Sequence, residues 1–229
     1  MGEWVGVKAS DGNELDLYVA RPEGEPAGQL IAGLVVVQEI FGVNAHMRSV
    51  TDGFAKDGFL AVAPAMFDRY EKGVDLGYSK EDRQTAMTFV PKLNPVASLA
   101  DVEAAVEYVR AQTGKKVGVV GYCFGGTMAW LAATRLKVDA TVGYYGGHIG
   151  HFAEEKPKAP VMLHFGKLDD HIPASVAEAV HEHNPEVEIY WYEAGHAFNR
   201  DADSHTYVPE AAELARERSL AFLKKYLGS

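Results

Sequence analysis

At 229 residues, with a formal net charge of -10 and 47% hydrophobic content, the chain is long enough for one well-filled α/β domain, residues 1–229, and no Pro/Gly/Ser-rich linker divides it. The acidic balance and the lack of any basic block argue against nucleic acid or anionic membrane as partners. A single cysteine cannot form an internal disulfide and fits a reducing compartment. No apolar stretch reaches about 18 residues, and the first four residues lack the features of a signal peptide, so a cytoplasmic protein is expected.

In chain order, residues 4–8 and 14–20 alternate apolar and polar side chains around Asp11-Gly12-Asn13, which predicts an antiparallel hairpin. Residues 34–37 are a continuous β-branched run of the kind buried on both faces of a parallel sheet. A helical pattern follows over about residues 45–57, then a short strand over 60–63 ended by Pro64. Residues 67–78 show no period and predict a loop. Residues 80–90 and 96–112 predict helices, the second with Leu99, Val102, Val106 and Val109 on one stripe. Strands are expected at 141–145, 161–165 and 187–192, with a helix after Pro173 and an amphipathic helix over 210–226. Strands alternating with helices after a hairpin predict an α/β fold with a mostly parallel, doubly wound sheet.

The most informative stretch is Lys116-Val117-Gly118-Val119-Val120-Gly121-Tyr122-Cys123-Phe124-Gly125-Gly126. An apolar run ends in Gly-x-Cys-x-Gly and passes into residues suited to a helix, which is the strand, sharp turn and helix of a nucleophile elbow with Cys in place of Ser. Glycines flank such a nucleophile because its backbone is strained and its neighbours pass close to other chain segments. The helix N-terminus beside Cys123 favours a thiolate and can hold an oxyanion. Alone, a cysteine at a strand end is more often a packed apolar residue. The motifs downstream reverse that balance.

Gly166-Lys167-Leu168-Asp169-Asp170-His171-Ile172-Pro173 follows a predicted strand and offers an acid to orient an imidazole. Asp169 and Asp170 are both candidates, and turn or cap roles are the plain alternative. Glu193-Ala194-Gly195-His196 follows the last strand, where an α/β-hydrolase carries its base, so the order nucleophile, acid, His is met by Cys123, Asp169 and His196. Of the other histidines, His164 lies within a strand and is expected to be packed, and His181 and His183 sit on an exposed helix end. His148 and His151 lack a third ligand of fitting spacing, so no metal is expected. In Gln38-Glu39-Ile40-Phe41-Gly42, the early strand-to-helix loop, the Ile40 N–H is the expected second oxyanion donor, while Glu39 reads equally well as a plain loop carboxylate.

These stretches, with Val142-Gly143-Tyr144-Tyr145-Gly146 and Trp191-Tyr192-Glu193-Ala194-Gly195-His196-Ala197-Phe198, resemble the dienelactone hydrolase (carboxymethylenebutenolidase) family over nearly the whole chain, which implies an α/β-hydrolase fold. The resemblance implies Cys123 as nucleophile, His196 as base and Asp169, four residues before Pro173, as the acid. It implies Glu39 as the carboxylate that contacts the resting thiol, Ile40 and Phe124 as oxyanion-hole amides, Arg200 as a binder of the substrate carboxylate, and Tyr145 in the substrate-binding set. No cofactor is implied; the partner is a small-molecule lactone or ester, and a monomer or weak homo-oligomer is expected.

One departure from the family pattern bears on substrate. A second carboxylate-binding Arg and a Tyr one turn later are replaced by Thr85 and Phe89, and Arg83 faces another direction on the helix. The expected reaction is acyl transfer through a thioester, opening an enol lactone or related ester. The alternatives are a carboxylesterase or thioesterase on less charged substrates, or a redox-sensing or ligand-binding protein. The sensor reading lacks a resolving cysteine and has no use for the acid and His.

Overall fold

The computed structural model describes residues 2–22 and 30–228, which divide into two compact units, Met1–Gly118 and Val119–Ser229. Among the described residues, eight strands alternate with six α-helices, and most of their pairings are parallel. No helix among the described residues is long and apolar enough to cross a membrane.

In the first unit, β1 (Glu3–Lys8) and β2 (Glu14–Ala20) form the antiparallel hairpin, with Val5 opposite Leu17. β2 pairs antiparallel with β4 (Phe59–Pro64), and β4 pairs parallel with β3 (Ala32–Val37). Every residue of β3 and β4 is buried, as a continuous apolar run in a strand covered on both faces requires. Pro64 is the last residue of β4 rather than its terminator, paired with Leu17 at the strand end. Its missing N–H is tolerated there because the ladder goes no further.

The helix α1 (Ala45–Lys56) starts where the Asn44 side chain accepts the Met47 N–H at 3.0 Å. α2 (Lys80–Phe89) opens with a capping box of Ser79 and Asp82. α3 (Pro95–Thr113) is capped by Asn94 and closed by Gly114 at φ 63°. The predicted stripe of Leu99, Val102, Val106 and Val109 is its buried face, and Gly33 lacks a side chain where Val109 packs. The stretch expected as a plain loop opens with a 3-10 turn, Met66–Arg69. Its buried Asp68 accepts the N–H groups of Asp16 and Gly73, since a carboxylate taken from water needs such donors.

From Val119 the second unit runs through the rest of β5 (Val117–Tyr122), then α4 (Phe124–Arg135), β6 (Ala140–Tyr144), β7 (Val161–Gly166), α5 (Ser175–His183), β8 (Glu188–Tyr192) and α6 (Pro209–Leu227). β6 pairs parallel with β7, and β7 with β8. α4 is buried from Gly125 to Thr134, with Trp130 at its centre donating Nε1–H to the Phe152 carbonyl at 3.0 Å. Removing a side chain of that kind from water contributes about 1.5–3 kcal/mol. β6 stops one residue short of expectation, because Tyr145 turns to φ 39° and leaves the strand.

Candidate active site

Cys123 occupies the single residue between β5 and α4, at φ 55° and ψ -112°. A non-glycine residue held there costs about 1–3 kcal/mol and persists only where neighbours over-determine it. They do so here: the Cys123 N–H donates to Tyr144 O at 3.0 Å, and Cys123 O accepts the Gly126 N–H at 2.9 Å. The glycines are steric necessities. A methyl on Gly121 would collide with Gly125 O, and one on Gly126 with Tyr144 O and the backbone of Gly146. The half-exposed thiol therefore stands over the N-terminus of a 12-residue helix, whose first residue is Phe124.

Asp169 lies three residues beyond β7. Its Oδ1 accepts the His171 N–H at 2.8 Å, an Asx turn that fixes the carboxylate, and its Oδ2 accepts from His196 Nδ1 at 2.7 Å. Asp170, the other sequence candidate, is exposed. His196 sits in the loop after β8, where Ala197 takes φ 61°. The two loops are stitched together by Leu168 N–H to Ala194 O at 3.0 Å, and Gly166 leaves room for that carbonyl.

His196 Nε2 faces Cys123 Sγ at 3.3 Å, completing a chain from carboxylate through imidazole to sulfur. Burial opposes a charged His196, but hydrogen bonds to Asp169 and Cys123 outweigh it, and the imidazole is pushed up to about 10. Burial likewise opposes the charged Asp169, yet the bond from His196 holds the carboxyl below its usual value. The chemistry available is that of an activated nucleophile with an oriented base and a helix-end oxyanion donor.

Other sequence-predicted residues are placed as follows. Tyr145 is buried, its ring 5.1 Å from that of His196. Arg200 is only 3% exposed and pairs with Asp203 at 3.3 Å, so its charge is already met within the protein. Glu39 and Ile40 belong to the first unit, beyond the end of β3. There the buried Glu39 carboxylate accepts from Tyr78 Oη at 3.3 Å, and Gln38 ties Glu39 O to the Met66 N–H. Thr85 is exposed on α2, while Phe89 is buried and stacked on Phe67 at 4.6 Å, a packing role.

Sequence reasoning missed His171, whose exposed ring lies 5.3 Å from that of His196 with Nδ1 3.6 Å from Asp169. Its place in Asp-Asp-His-Ile-Pro was visible, but no spacing rule aims its ring. The expectation that His164 is packed matches its full burial, where desolvation lowers its pKa to about 3.

A sequence model of the dienelactone hydrolase family matches residues 15–227. A carboxymethylenebutenolidase of Pseudomonas putida is 37% identical over 230 residues, covering 96% of this chain and 95% of the relative. Another, from Pseudomonas sp. strain P51, is 34% identical, covering 97% and 95%. A Klebsiella pneumoniae structure solved as a candidate dienelactone hydrolase superposes with a TM-score of 0.82 at 28% identity, covering 98% of this chain and 100% of that one. With an α/β-hydrolase fold and a match over nearly its full length, the chain belongs to the dienelactone hydrolase family and is a hydrolase of ester or lactone bonds.

Proposed function

We propose that the protein cleaves a lactone or ester by acyl transfer to Cys123. The observation that carries this reading is the unbroken hydrogen-bonded chain Asp169, His196, Cys123, with the sulfur on a strained elbow. The Cys123 thiolate attacks the carbonyl carbon, and the negative charge that develops on oxygen meets the Phe124 N–H at the start of α4. Collapse expels the alkoxide or enolate, which takes the proton of His196 Nε2. Water then gives a proton back to Nε2 as it attacks the thioester, and Cys123 leaves as thiolate. Asp169 keeps the imidazole oriented throughout. The roles given to Glu39 and Ile40 rest on the family resemblance.

A thiolate is itself a good leaving group, so the acylation step favours substrates that release a stable anion. An enol lactone meets that condition because ring opening yields an enolate. Opening of a dienelactone-type ring, as the names of the relatives suggest, is therefore the first reading of substrate. The second is a carboxylesterase acting on less charged esters. It is favoured by the buried Arg200–Asp203 pair and by Thr85 and Phe89 where the family pattern has a cation and a phenol.

Steady-state hydrolysis of a carboxylated dienelactone beside p-nitrophenyl acetate separates the two, with Cys123→Ser and Arg200→Ala as controls. Preference for the lactone, with Arg200→Ala raising mainly its KM, supports the first. Preference for the aryl ester, indifferent to Arg200→Ala, supports the second. Cleavage of neither substrate, or full activity in Cys123→Ser, would sink the acyl-transfer mechanism.

A further inference from the structure

We infer that Ser219 and His164 are positioning residues: their buried side-chain clamp holds the ends of β6, β7 and β8 in the register that sets Cys123, Tyr145 and the His196 loop. The inference rests on the reading of Cys123 and His196 given above.

Ser219 Oγ, on α6, is fully buried and is met from two sides, by Tyr144 Oη at 2.7 Å and by His164 Nε2 at 2.9 Å. It also lies 2.8 Å from Ala215 O, one turn back in its own helix. The other imidazole nitrogen, His164 Nδ1, lies 2.8 Å from Tyr192 Oη, which in turn accepts from Arg218 Nη1 at 3.2 Å. Three adjacent strands are thus tied through side chains to one helix.

The hydrogens of this network can be placed. A carbonyl only accepts, so the Ser219 hydroxyl donates to Ala215 O and must accept from both Tyr144 and His164. His164 then carries its proton on Nε2, and its bare Nδ1 accepts from the Tyr192 hydroxyl, which accepts from Arg218. Every hydrogen has a partner. With the proton on Nδ1 instead, the Tyr192 hydroxyl would accept twice and have no acceptor for its own hydrogen among the described residues. A buried donor left without a partner is disfavoured. The neutral Nε2–H tautomer follows, and the depressed pKa of His164 agrees with it.

The backbone of the same three residues is what holds the site. Tyr144 O accepts the Cys123 N–H at 3.0 Å, and His164 O accepts the N–H of Tyr145 at 2.8 Å. Tyr192 O accepts the N–H groups of Lys167 and Ala194, each at 2.8 Å, so it pins both the acid loop and the His196 loop. A shift of any one strand end therefore moves a reacting group. Nucleophile, base and acid come from three different strand ends, and the clamp is a common reference for them.

Imidazole nitrogen NMR of the unaltered protein at pH 7 tests the tautomer without reference to activity. A neutral His164 with its proton on Nε2 is expected; a proton on Nδ1, or an imidazolium, overturns the inference. Kinetics test the positioning role, with Ser98→Ala as a comparison at a buried hydroxyl outside the clamp. Ser219→Ala is expected to lower kcat about 10- to 100-fold and to slow alkylation of Cys123 by iodoacetamide, with KM within about twofold. Ser98→Ala should change neither. Wild-type kcat and alkylation rate in Ser219→Ala would reduce the clamp to a stabilising feature and overturn the positioning role. Should Ser219→Ala fail to fold, His164→Gln, which keeps a donor toward Ser219, supplies the same kinetic comparison. Failure of the catalytic reading is seen separately, as wild-type turnover in Cys123→Ser.

Discussion

Asp169 Oδ2 lies 2.7 Å from His196 Nδ1, while Asp170, next in the chain, points to solvent. The choice between two adjacent acids is made by the Asx turn to the His171 N–H, which aims one carboxylate at the loop after β8 and leaves the other outside. Asp169→Asn should therefore lower kcat on an aryl ester by on the order of 10³–10⁴, as expected when an imidazole loses its orienting carboxylate. Asp170→Asn should leave kcat and KM within about twofold, because exposed groups away from the chemistry rarely matter more. Equal losses in both variants would contradict the assignment.

The raised pKa of His196 has a consequence for stability. A histidine held at about 10 in the folded state, against about 6.5 unfolded, stabilises the protein fully below pH 6.5, and that contribution is lost as pH rises toward 10. The urea midpoint should fall between pH 7 and pH 10. In His196→Gln the slope over that window should be shallower; an unchanged slope would show that His196 is not the group responsible.

His164 works in the opposite window. Its folded pKa of about 3 means that the unfolded chain takes up a proton below about 6.5 while the folded protein does not. The contribution of His164 to stability is complete above pH 6.5 and declines through the window from there to about 3, by about 1 kcal/mol per pH unit. Chemical denaturation from pH 7 to pH 4 measures it. In His164→Gln the unaltered protein's acid slope should be reduced, whatever the variant's stability at pH 7.

Gly126→Ala tests the elbow sterically. The new methyl would meet Tyr144 O and the Gly146 backbone, neither of which can rotate away. A destabilisation of about 2–4 kcal/mol is expected, together with loss of turnover. A variant with normal stability and activity would mean that the elbow has more slack than its contacts indicate.

Much of this protein was legible in the chain itself. The hairpin and the stripe of Leu99, Val102, Val106 and Val109 follow from periodicity, and the buried strands from continuous apolar runs, both properties of short windows. The elbow was legible for a similar reason: Gly121, Cys123 and Gly125 stand in the Gly-x-Cys-x-Gly spacing within five residues, and Gly121 is required by its close approach to Gly125 O. The order Cys123, Asp169, His196 was readable because each lies just beyond a strand. Tertiary structure alone decided the rest. Asp169 rather than Asp170 meets His196 across 27 positions, and Arg200 turns inward to Asp203. Ser219 joins Tyr144 across 75 positions and His164 across 55. The direction of a side chain in a loop, and the partners of a buried polar group, depend on which distant segments fold against it; no periodicity in the local chain encodes them.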